Sequence, residues 1–205
     1  MRDPSLAWYN RMAVMADVLA PPLIVSEDLF LALVRENPDL RLERSKRGEL
    51  IVMPPTGYRG SERNVELVRQ LANWNKQHRL GRVTESNGGY RLPDSALRAP
   101  DAAWVSAERD ATIPANKRES LAPVCPDFVA ELLSPSDDLN EIRAKMAEYV
   151  ANGARLGWLL DPFRRAVEIY RPAREPEIRE DAHTVDGESV LPGFTLDLDA
   201  VFTPD

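Results

Sequence analysis

The run Asp127-Phe-Val-Ala-Glu-Leu-Leu133 carries apolar side chains on both of the faces that a strand presents, with one exception. Phe128, Ala130 and Leu132 point one way, and Val129, Glu131 and Leu133 the other, so the segment is predicted to be a strand covered on both sides. A carboxylate in the middle of such a strand costs several kcal/mol unless it is paired, protonated or bound to a cation. Glu131 therefore needs a partner. The strand stops at Ser134-Pro-Ser-Asp137, where proline removes a ladder donor and the Ser and Asp residues can cap a helix. The anomalous acid thus lies near the end of a strand that feeds a helix, where open α/β sheets tend to place chemistry.

The chain has 205 residues, 43% of them hydrophobic, which suits one domain with a real core rather than two. Its single cysteine, Cys125, excludes an internal disulfide and an all-cysteine zinc site, and fits a reducing compartment. No apolar run approaches the length of a membrane span, and the first residues lack a basic region followed by a hydrophobic core. The expectation is a soluble, cytoplasmic protein with no membrane partner. A formal net charge of −7 argues against nucleic acid at first sight, but the charge is uneven. Between Leu40 and Pro100, twelve Lys/Arg face six Asp/Glu, so that stretch carries +6 and the rest −13. A solvated surface and a phosphate-facing surface both account for this.

In chain order, residues 1–22 read as a helical extension ended by Pro21-Pro22, and Ser26 can cap a second helix that Asn37-Pro38 closes. Arg41–Arg44 and Glu49–Met53 read as a hairpin turning at Lys46-Arg-Gly48. A long helix from Ser61 to His78 has Val65, Val68, Leu71, Ala72 and Asn75 along one side, with Gly81 as its terminator. Strands are expected at Val83–Ser86, Tyr90–Leu92 and Ala102–Val105, then a loop over Ser106–Pro123 with one helical turn. Leu139–Ala151 is an amphipathic helix on which Lys145 sits at the border of the apolar face, beside Ile142 and Tyr149. Leu156–Asp161 and Ala166–Arg171 form a further hairpin, and residues 173–205 read as a strand-poor, acidic extension.

Three ionisable residues can then converge: Asp101 at the mouth of one strand, Glu131 inside the next, and Lys145 on the helix that follows. Two carboxylates from neighbouring strands suit a hard divalent cation such as Mg2+, with Mn2+ as a substitute. An adjacent ammonium can orient or deprotonate an attacking water, or neutralise charge developing on phosphorus. Each residue has a plainer reading: Asp101 as a Pro-Asp turn, Glu131 as the partner of an arginine, and Lys145 as a snorkelling helix lysine. Glu49, Glu66 and Ser134 are accessory candidates. No glycine cluster forms a phosphate-cradling loop, so a nucleotide cofactor is not expected.

Five pieces in this order carry a family likeness: Gly48-Glu-Leu-Ile-Val-Met-Pro-Pro-Thr-Gly57, Arg98-Ala-Pro-Asp-Ala-Ala-Trp-Val105, Pro126-Asp-Phe-Val-Ala-Glu-Leu-Leu-Ser-Pro-Ser136, Lys145-Met-Ala-Glu-Tyr149 with Asn152-Gly153, and Gly157-Trp-Leu-Leu-Asp-Pro162. Over about Ser26 to Pro172 the chain resembles the Uma2 family of endonuclease-like proteins, a branch of the PD-(D/E)xK restriction-nuclease-like superfamily. The resemblance implies an α/β (α+β) fold, a mixed sheet flanked by helices with the restriction endonuclease-like core. It also implies that Asp101 is the motif aspartate and Glu131 the second motif acid. The superfamily lysine stands two residues after that acid, where this chain has Leu133; Lys145 is then the substitute. Many relatives carry a histidine at the start of the long helix, and here Arg63-Asn64 takes that place.

The expectation is a metal-dependent endonuclease acting on DNA along an open groove lined by Arg59, Arg63 and Arg98, and working as a homodimer by analogy with double-strand cutters. Two other classes compete: a non-catalytic scaffold that has kept the fold, favoured if Lys145 stands away from the carboxylates, and a hydrolase of small phosphoesters, which calls for a closed pocket.

Overall fold

The computed structural model describes residues 22–204, so the helix expected over residues 1–20 lies outside the described residues. Ser26 caps α1 (Glu27–Glu36) by accepting from the Leu29 N–H. The hairpin follows as β1 (Arg41–Arg44) and β2 (Leu50–Met53), with Gly48 at φ +86° supplying the left-handed turn residue. The long helix α2 spans Tyr58–His78, one turn longer at its start than expected, and takes Gly57 as its N-cap. Its buried side is Leu67, Leu71 and Trp74, while Val65 faces solvent. Two apolar stripes were available on this helix; the one carrying the tryptophan buries the larger surface. Arg79, in the left-handed conformation, ends the helix, and Gly81 instead opens β3 (Gly81–Glu85). A side chain at Gly81 would strike the Val105 carbonyl and the Trp104 indole, so this glycine serves the close approach of two strands.

β4 (Tyr90–Arg91) and β5 (Leu97–Arg98) join the first hairpin in a four-stranded sheet ordered β2-β1-β5-β4. β6 (Ala102–Ser106) then enters the main sheet, and the loop after it holds a short helix, α3 (Ala107–Asp110), and a 3-10 turn over Ala115–Lys117. The predicted central strand is β7 (Phe128–Leu132), followed by α4 (Leu139–Ala151), β8 (Leu156–Asp161) and β9 (Ala166–Tyr170). With β10 (Glu177–Glu180) they form a six-stranded sheet ordered β10-β9-β8-β7-β6-β3. β7 and β8 run parallel, with α4 as their crossover, and the other neighbours are antiparallel. The architecture is therefore the mixed sheet flanked by helices that the sequence suggests. Among the described residues, no helix is long and apolar enough to cross a membrane.

Both faces of β7 are covered. Phe128 and Ala130 pack with Leu67, Leu71 and Trp74 of α2, and Val129 packs with Met146 and Tyr149 of α4. The expected acidic extension is a correction: β11 (Thr184–Asp186), β12 (Thr195–Asp197) and α5 (Leu198–Phe202) place Val185, Leu196, Val201 and Phe202 in the α2-side core, joined by Phe194 from the turn before β12. These segments are three to five residues long, too short to show a period. Leu196 is fully buried, so Leu196→Ala is expected to lower the unfolding free energy by about 3 kcal/mol in a urea titration. A surface extension would give a change near zero.

Candidate active site

The site is built at the end of β7. Because Ala102 of β6 pairs antiparallel with Ala130 of β7, Asp101 falls beside Glu131 just before the first paired residue of β6. The Leu132 N–H donates to Asp101 Oδ2 at 2.9 Å, fixing that carboxylate across the strand end. α4, capped by Asp138 accepting from Asn140 N–H and Glu141 N–H, crosses this face and buries Lys145, Met146 and Tyr149. Lys145 does reach inward: its Nζ lies 2.8 Å from Glu131 Oε1 and 2.9 Å from Glu43 Oε1. The Tyr149 hydroxyl donates to the same Glu131 Oε1 at 3.1 Å, so both donors leave Oε2 clear.

Glu43 is the residue that sequence reasoning missed. It comes from β1 of the smaller sheet, which the Arg44–Leu97 pair joins to β5, and it is buried among site residues. Its Oε1 also accepts from the Ala99 N–H at 3.0 Å, and its Oε2 from Arg98 Nη1 at 3.1 Å. Arg98 Nε in turn donates to Glu148 Oε2 at 2.6 Å. The signal that could have found Glu43 is the Arg41-Leu42-Glu43 alternation, which puts two charges on one face of a strand.

The electrostatics set these groups apart. Burial pushes the Glu131 carboxyl up to about 7; Lys145 pulls the other way, and the nearby Asp101 and Glu43 charges add to the rise. Burial likewise raises Asp101, against the Leu132 N–H, Lys145 and Arg41. Glu43 behaves oppositely: burial would raise it, but Lys145 and Arg98 outweigh that and hold it below the usual carboxylate range. For Lys145, burial opposes the charge while Glu131 and Glu43 more than restore it, so the ammonium is held above its ordinary range. With both carboxylates beside it, Lys145 favours the orienting and charge-neutralising roles over the deprotonating one.

Other expected site residues lie outside the cluster. Arg98 is buried against Glu43 and Glu148 and presents nothing to a phosphate; its role is to compensate those acids. Arg63 stacks over Phe163 and donates from Nε to the Phe202 carbonyl at 3.1 Å, so it ties α2 to the C-terminal helix. Glu49 accepts from the Ser45 hydroxyl within the hairpin turn, and Glu66 is engaged by Arg69 and Gln70 of its own helix. Asn64, in the first turns of α2, has a buried Oδ1 without a partner among the described residues. Ser134 bonds to Ser136 and Asp137 in the loop after β7. Arg59 is exposed on the first turn of α2. Leu133 packs on the α4 side of the core, where a lysine two residues after Glu131 would have stood.

The residues fit a hard divalent cation. Asp101 Oδ1 makes no closer contact to Arg41 than 3.6 Å, Glu131 Oε2 is clear of Lys145 and Tyr149, and both carboxyls are raised by burial, which a bound cation would offset. Among the described residues no three His, Cys, Asp or Glu side chains are grouped to hold a metal. A two-carboxylate site leaves the other positions to water and substrate oxygens, as Mg2+ prefers. Cavities of about 300 and 450 Å³ lie along α2, beside Trp74 and Phe194 and beside Arg79 and Arg82. Neither reaches Asp101, Glu131 or Lys145.

Comparison with known proteins agrees with the fold. The Uma2 family model, described as "Putative restriction endonuclease", matches residues 27–199. A crystal structure from Anabaena variabilis ATCC 29413, described as a "putative nuclease belonging to DUF820", superposes with a TM-score of 0.73 at 22% identity. The similarity covers 87% of this chain and 97% of that one, and at this identity it shows a shared fold. No curated protein is similar enough to match. With the family model spanning the sheets, both flanking helices and every member of the buried cluster, the chain belongs to the Uma2 family.

Proposed function

We propose that the protein is a metal-dependent endonuclease that hydrolyses DNA phosphodiester bonds at the Asp101–Glu131–Lys145 cluster. The observation that carries this reading is the Lys145 ammonium at 2.8 Å from Glu131, beside Asp101, at the end of the central strand. In this reading Asp101 and Glu131 hold Mg2+, or Mn2+ in its place. When bound, such a cation lowers the pKa of a ligating water and draws charge from a phosphoryl oxygen. Lys145, with two N–H bonds committed to Glu43 and Glu131, has a third for the attacking water or for a phosphoryl oxygen as negative charge grows there. The water oxygen bonds to phosphorus and gives up a proton to solvent, the bond to the leaving sugar oxygen breaks, and that oxygen takes a proton from solvent. Glu43 and Tyr149 are positioning residues, since they hold Lys145 and Glu131 from the sides away from substrate.

Exposed Arg59 supports contact with the DNA backbone, and Ser134 and Asn64 remain accessory candidates near the strand and helix ends. Each chain has one such cluster among its described residues, so cutting both strands at one place would take a second copy. The exposure of Asp101 and Arg41, 17% and 21%, supports a substrate that reaches the cluster from the surface, as a polymer does, over a small phosphoester held in a closed pocket. Comparing rates on plasmid DNA and on bis(p-nitrophenyl) phosphate tests this. Cleavage of the small ester with intact plasmid would reverse the assignment.

Metal binding must displace the proton that Glu131 carries below about pH 7. Mg2+ affinity is therefore expected to rise as pH increases toward 7, by up to about tenfold per unit, and to level off above it. Isothermal titration at pH 6 and pH 8 checks this; equal affinity at both would mean that Glu131 is not a ligand.

A further inference from the structure

Arg41 opens β1 two residues before Glu43, so both side chains leave the same face of the strand, toward the buried carboxylates. Glu43 is fully engaged there, but Arg41 is not. Its Nη2 stands 3.6 Å from Asp101 Oδ1, too far for a hydrogen bond. Nε and Nη2 are both shielded from solvent, and neither has a hydrogen-bond partner among the described residues. Enclosed guanidinium donors are normally met, because leaving them unmade is costly. Other cations around the cluster are spoken for: Arg98 by Glu43 and Glu148, and Lys145 by Glu43 and Glu131. Position separates Arg41 as well. Its side chain is 21% exposed and that of Asp101 17%, against 8% for Lys145, so these two residues stand nearer the open side of the site, with the unmet donors just beneath its surface.

We infer that Arg41 is a further phosphate-binding residue of this site, whose guanidinium takes the non-bridging oxygens of a DNA phosphodiester group alongside Asp101. The inference rests on the nuclease reading and deepens it by dividing the labour between the cations. Lys145 is locked between two carboxylates and offers one N–H. Arg41 offers a planar fork that matches two phosphate oxygens at once. An anion there would also supply the hydrogen bonds that the protein leaves unmade.

The test compares wild type with Arg41→Gln and Arg41→Lys in three measurements: binding of a fluorescent DNA duplex without metal over a range of salt, single-turnover nicking with Mg2+, and thermal stability. Arg41→Gln is expected to bind about tenfold more weakly, with a salt slope smaller by about one phosphate contact, and to nick about 100-fold more slowly. Because the donors are unmet, its melting temperature is expected to change little, since only the 3.6 Å charge pairing with Asp101 is lost; a structural arginine would show a large fall. Arg41→Lys is expected to recover the salt slope but not the nicking rate, since it keeps the charge and loses the fork. An active wild type with Arg41→Gln unchanged in affinity, slope and rate would overturn the role of Arg41 alone. A wild type that neither binds nor nicks DNA would overturn the nuclease reading and this inference together.

Discussion

Glu131→Gln is expected to abolish metal-dependent nicking of DNA, with a loss of at least about 10³-fold in single-turnover rate, while the protein stays folded. The amide keeps the shape of the side chain and an oxygen for Lys145 and Tyr149, so the packing of β7 against α4 survives. It removes the negative charge on which cation binding depends, and a factor of 10³ corresponds to about 4 kcal/mol of transition-state stabilisation. Stability is expected to hold or rise, because burial already disfavours the charged form of Glu131. The pairing of lost activity with retained stability separates a ligand from a structural acid. A variant that nicks at the wild-type rate would leave Glu131 as a buried ion-pair partner and nothing more.

The second large effect concerns Lys145. Lys145→Met keeps much of the apolar stem and deletes the ammonium that Glu43 and Glu131 share at 2.9 and 2.8 Å. Removing one partner of a buried ion pair leaves uncompensated charge and typically costs about 3–5 kcal/mol. Arg98 still covers Glu43, so the loss falls mainly on Glu131, which is expected to take up a proton. Urea unfolding should show the destabilisation at pH 8 and a smaller one at pH 6. Mg2+ should restore more stability to the variant than it adds to wild type, since a cation supplies the missing charge. Nicking is expected to fall by about 10²- to 10³-fold. Lost stability with unchanged nicking would assign Lys145 to the fold alone.

Much of this was legible in the sequence because it depends on local pattern. Phe128 to Leu132 could be read as a doubly covered strand from its two apolar faces, and the lone acid in it pointed to the buried cluster around Lys145. The helix over Leu139–Ala151 fixes where Lys145 points relative to Ile142 and Tyr149, and its border position foretold a buried ammonium. Asp101 is brought to Glu131 by a strand pairing that adjacent elements commonly make.

What escaped was decided by long-range docking. Glu43 and Glu49 sit on the same hairpin, and nothing local says that the strand with Glu43 lies against α4 while Glu49 closes its own turn. Arg98 reads as a surface cation until the two acids that bury it, Glu43 and Glu148, arrive from 55 and 50 residues away. Three short tail strands and α5 carry no usable period, yet Val185, Leu196 and Phe202 complete the core under α2. Such contacts follow from the assembled sheet and not from the segments that make it.

The most direct test is incubation of purified protein with supercoiled plasmid in Mg2+ and in Mn2+, quenched with chelator and read as closed, nicked and linear forms. The expected result is metal-dependent conversion of closed to nicked plasmid by wild type and none by Glu131→Gln. Plasmid that stays closed in both metals, although Mg2+ binds with an affinity that Glu131→Gln abolishes, would contradict the nuclease and leave a cation site serving some other reaction.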